Sequence, residues 1–137
     1  MGARMRHTDW PERLAAMIYA SHNEPFNWGT HDCCAFAAAV VHELTGVDHF
    51  APYAGYANAI EAARVLKKHG GISGIATAAL GDQMPPLTAG RGDIVMIRTD
   101  DHGDTLAVCI GDKCAAPGEK TLQYLPMSTA VAAWRVI

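Results

Sequence analysis

Apolar positions recur at helical spacing as far as about residue 90, and beyond Gly92 they gather into short β-branched runs. Leu14, Met17 and Ile18 stand at i, i+3 and i+4 and predict a first helix ending near Ser21. It opens at Asp9-Trp10-Pro11-Glu12, with Asp9 as N-cap, Pro11 in the first turn and Glu12 at the third position. The run Ala35-Phe36-Ala37-Ala38-Ala39-Val40-Val41 continues to Leu44 and predicts a second helix, capped by Asp32 and stopped by Gly46. Residues 56–69 carry Ile60, Ala63, Val65 and Leu66 and predict a third, with Lys67, Lys68 and His69 suited to its C-terminal dipole and Gly70-Gly71 as its end. A shorter helix is expected over 73–80, followed by a loop over 81–90 around Pro85-Pro86.

After Gly92 the strands expected are 93–98, 105–110 and 113–116, the last two joined by a Gly111-Asp112 hairpin turn. Residues 122–125 and 132–137 extend the sheet across Pro126-Met127-Ser128. Helices first and a meander after them predict an α+β fold, with N-terminal helices packed on a C-terminal antiparallel sheet. The 137 residues suit one domain. Within it, 1–27 form the first helix and a loop, 28–91 the helical half and 92–137 the sheet half.

Composition narrows the classes of function. Half the residues are hydrophobic, 18% are charged and the net charge is −3, which fits a folded globular chain. No basic stripe invites nucleic acid. The longest apolar run, 35–41, is far short of the roughly 20 residues of a membrane span. Residues 1–10 lack the apolar segment of a secretory signal, so the expected site of synthesis and retention is a cytosol, with reduced thiols.

The chemistry centres on Trp28-Gly29-Thr30-His31-Asp32-Cys33-Cys34, where a polar turn enters an apolar helix. A thiol in the first helical turn lies near unpaired backbone N–H groups and the positive end of the dipole, which lowers its pKa. Cys33 is therefore a candidate nucleophile, set against the reading of a buried small residue. A metal site from Cys33, Cys34, Cys109 and Cys114 is the outside alternative, and no cofactor is expected. Trp28 reads as a core anchor, and Asp93 as a structural acceptor for the turn at Arg91-Gly92.

Trp28-Gly29-x-x-Asp32-Cys33-Cys34-Ala35-Phe36, followed by Gly92-Asp93-Ile94-Val95 and Leu106-Ala107-Val108-Cys109-Ile110-Gly111, resembles the NlpC/P60 branch of the papain-like cysteine peptidases. The resemblance implies Cys33 as nucleophile, Cys34 where the family usually has serine, and Thr105 at the position of the catalytic histidine. A threonine hydroxyl cannot take a thiol proton at neutral pH. Two other imidazoles could stand in: His102, three residues earlier among Asp100, Asp101 and Asp104, and His31, two residues from the thiol. The closing stretch from Cys114-Ala115-Ala116-Pro117-Gly118 to Ala133-Trp134-Arg135-Val136 is similar to small relatives encoded among phage tail genes.

The resemblance thus implies a tail-tip or tail-assembly protein on a degenerate peptidase fold, without peptidase activity. It would bind other tail proteins and reside in the virion tail after assembly in the host cytoplasm. The alternative is an active cysteine peptidase or amidase cutting peptidoglycan stem peptides through Cys33, with His102 or His31 as base. A cysteine-ligated structural module is the third reading.

Overall fold

The computed structural model describes residues 6–100 and 103–137. Four helices precede five strands: α1 (Trp10–Ser21), α2 (Cys33–Thr45), α3 (Ala59–His69), α4 (Gly71–Leu80), then β1 (Ile94–Thr99), β2 (Gly103–Cys109), β3 (Lys113–Pro117), β4 (Leu122–Pro126) and β5 (Ala130–Trp134). The α+β architecture is as the periodicity predicts.

α2 is the central helix. The Asp32 carboxylate accepts the Ala35 N–H at 2.8 Å, and Gly46 closes the other end in the left-handed region at φ 79°. Phe36, Ala37, Val40, Val41 and Leu44 are all buried, so one whole stripe of the helix is spent on the core. α1 packs beside α2 through Leu14, Met17 and Ile18. Asp9 does not cap it: the Asp9 carboxylate instead accepts the Arg13 guanidinium at 2.8 Å, an i, i+4 pair that takes the oxygen away from the backbone. α3 starts at Ala59 rather than 56, because Asn58 accepts the Glu61 N–H while Glu61 reaches back to the Ala57 N–H. Ile60 and Ala63 are exposed, contrary to their expected place on its apolar face.

The sheet is antiparallel but is not the simple meander expected. Its order is β4-β3-β2-β1-β5, so the last strand crosses to the far edge and pairs with β1, Ile94 opposite Trp134. Strand alternation gives it two apolar faces. Ile94, Met96, Leu106, Val108, Ala115 and Trp134 meet the helices. Val95, Ile97, Ala107, Cys109, Cys114 and Ala116 face the other way, against Met84, Ala89 and Met127 from the connecting loops. Cys33 and Cys34 pack with the helical cluster and Cys109 and Cys114 with the opposite one, so the sheet lies between the two pairs. The outside alternative of a four-cysteine metal site is overturned, and among the described residues no group of three or more metal-ligating side chains converges.

Asp93 ties the sheet to both termini of the described fold. It is 1% exposed and accepts the Gly90 N–H at 2.9 Å, the Val136 N–H at 2.9 Å and the Arg6 guanidinium at 2.8 Å. Arg6 also donates to the carbonyls of Val136 and Arg91 and covers the Trp10 ring at 4.5 Å. Asp93→Ala would leave a buried guanidinium and two backbone donors unpaired. We expect about 3 kcal/mol of lost stability by chemical denaturation, the usual cost of removing one partner of a buried pair.

Candidate active site

The turn before α2 is built so that Cys33 begins the helix. Asn27 and His31 exchange backbone hydrogen bonds, 3.1 Å and 2.8 Å, which folds 27–31 back on itself. Gly29 sits at φ +83°, and a Cβ there would collide with the Tyr56 carbonyl, so only glycine lets the turn lie against the segment leading to α3. Asp32, 2% exposed, holds the assembly together: besides Ala35 it accepts the Gly29 N–H and the Tyr56 hydroxyl, both at 2.7 Å. Burial, then the bond to Asp32, pushes the Tyr56 phenol far above its ordinary value.

Around this turn lies a cavity of about 640 Å³. Asp32, Cys33 and Cys34 line it from the start of α2 and Asp104 and Thr105 from β2, and α3 and α4 supply apolar wall with Val65, Leu66, Ile72 and Ile75. The Cys33 thiol is held below the usual thiol range, chiefly by the adjoining Cys34 thiol, against the opposing effect of burial, with further help from the backbone of Leu106. Cys34 is driven the other way by the same pairing and by burial. The shift therefore has opposite directions at the two adjacent thiols, downward at Cys33 and upward at Cys34.

Thr105 is among the residues lining the cavity, on β2. His31 is not. It is 3% exposed, its Nδ1 lies 3.3 Å from Glu24 Oε2, its ring stands edge-on to Phe36, and its Nε2 has no hydrogen-bond partner. That arrangement removes His31 as a base for Cys33, because the imidazole is packed behind the turn rather than beside the thiol. His102 falls outside the described residues. Among the described residues no imidazole lines the cavity.

Sequence reasoning missed the aromatic rim. Trp28 is 41% exposed and meets Phe26 edge to face at 4.9 Å, so both rings border the cavity and Trp28 is no core anchor. The 22–29 loop is pinned by backbone bonds to the β3–β4 hairpin, Phe26 N–H to Gly118 and Leu122 N–H to His22, which leaves its rings free to face outward. Tyr56 was missed too, since its contact with Asp32 spans 24 residues and has no local signature.

A family model described as a domain of unknown function, DUF6950, matches residues 5–136. The chain belongs to that family. No curated protein sequence matches this DUF6950 domain. Among solved structures it is similar to the crystal structure of the NlpC/p60 domain of the peptidoglycan hydrolase SagA, with a TM-score of 0.57 and 15% identity over 91% of this chain and 97% of that one. At that identity the likeness speaks to the fold, and the fold is NlpC/p60-like.

The divided thiols give a direct test. Alkylation by iodoacetamide at pH 7 should modify Cys33 at least tenfold faster than Cys109 or Cys114, because thiolate is the reactive form. Burial pushes Cys114 up to about 11 and raises Cys109 as well, so both should label only in alkali or after unfolding. Equal, slow labelling of all four would contradict the site.

Proposed function

We propose that this DUF6950 domain is an NlpC/p60-fold protein that binds at its Cys33 cleft without cleaving, and that it serves as a tail-tip or tail-assembly component of a phage particle. The loss of cleavage rests on one feature: Thr105 stands at the β2 position that the resemblance gives to the base, and no described histidine lines the cavity. A hydroxyl has no basicity to accept the thiol proton at neutral pH, and general-base help is worth about 10² to 10⁴ in rate. The tail role rests on the resemblance of the 114–136 stretch to proteins of phage tail genes. It implies other tail proteins as partners and a virion location after assembly in the host cytoplasm.

A second reading has its own support. The lowered Cys33 thiol at a helix start is the form a nucleophile takes, and backbone N–H groups nearby suit a developing oxyanion. In that reading the chain is a peptidoglycan-cleaving cysteine peptidase or amidase, with His102 as the base and a stem peptide as substrate.

Muropeptide digestion followed by mass spectrometry separates the two. Binding without cleavage predicts no product from the wild type, no change on Cys33→Ala, and intact incorporation of Cys33→Ala into particles. Thr105→His should then introduce cleavage, about 10² above background, by restoring the missing base. Product from the wild type that disappears with Cys33→Ala would establish the enzyme instead.

A further inference from the structure

The cavity has a chemical character that the NlpC/p60 likeness does not explain. Its wall beyond the thiols is almost entirely apolar: Phe50, Tyr53, Val65, Leu66, Ile72 and Ile75 reach from the rim into the helical layer. Its volume of about 640 Å³ falls within the roughly 300–1,000 Å³ of small-molecule sites. No lysine or arginine lines it among the described residues, while Asp32, Asp104 and Glu119 do. At the α2 N-terminus, which would otherwise welcome an anion, the Asp32 carboxylate already places a negative charge and takes the Ala35 N–H. Asp104 is matched by Arg98 at 2.8 Å, which leaves exposed Glu119 as the charge at the mouth.

We propose that the Cys33 cavity takes a long aliphatic chain ending in an uncharged polar group, such as an acyl ester, amide or alcohol, and discriminates against a carboxylate end. The apolar wall removes the chain from water, at about 0.8 kcal/mol per methylene. Glu119 at the mouth repels an anion, and among the described residues no lysine or arginine lines the cavity to compensate. This rests on the cleft being the binding site of the protein, and it names what that site accepts.

The test uses the full chain at pH 8, with decan-1-ol and decanoate as probes and the rate of Cys33 alkylation by iodoacetamide as readout. Decan-1-ol should protect Cys33 with at least tenfold greater apparent affinity than decanoate. Glu119→Lys, at an exposed turn, should strengthen decanoate by about threefold. Absence of protection by decan-1-ol, or equal protection by decanoate, would overturn the proposal. Muropeptide cleavage by the same preparation would end the binding-only reading while leaving decan-1-ol protection standing, so the two failures are distinct.

Discussion

Asp32 is a buried carboxylate with three donors and no cation, and the site depends on it. One side chain caps α2, closes the turn that carries Gly29, and fixes Tyr56 on the approach to α3. Hydrogen bonds to a charged group are worth about 1.5–3 kcal/mol each, which offsets the desolvation of the carboxylate only if all three are made. That requirement forces two segments 24 residues apart to meet at a glycine, since any side chain at position 29 would collide with the Tyr56 backbone. Cys33 follows directly from Asp32, so its place at the first helical residue is a consequence of the cap.

The same constraint shapes the cavity. Tyr56 held against Asp32 brings the segment before α3 alongside the thiols, and α3 and α4 then complete an apolar wall. Filling the helix N-terminus with a carboxylate also sets the local electrostatics: it raises rather than lowers the neighbouring thiols, so the depression of Cys33 comes from Cys34 and the backbone in spite of Asp32. Among the described residues, the neighbour of the Cys33 thiol is a second thiol, Cys34, and no imidazole lines the cavity.

Local features were legible in the sequence and long-range ones were not. The Asp32 cap, the Gly46 stop, the Gly111-Asp112 hairpin and the structural use of Asp93 each follow from residues within a few positions of one another. The helix limits of α3 shifted because Asn58 accepts the Glu61 N–H while the Glu61 carboxylate accepts the Ala57 N–H, a signature present in the chain but outweighed by the apolar run. The crossing of β5 to the edge beside β1 has no local signal, and neither has the contact of Arg6 with Asp93 across 87 positions. His31 looked like a candidate base because it is near Cys33 in sequence. The turn that presents the thiol points the imidazole inward instead, beside Glu24 and Phe36.

The central claim is that the Cys33 thiol is set by its described surroundings, Cys34 and the backbone of Leu106, among which no imidazole stands. It is tested most directly by the pH midpoint of Cys33 alkylation by iodoacetamide, resolved by mass spectrometry, in the wild type and in His102→Ala. The account predicts the same midpoint in both proteins. A rise of about one unit or more on removing that imidazole, the size expected for the loss of an adjacent opposite charge, would contradict it.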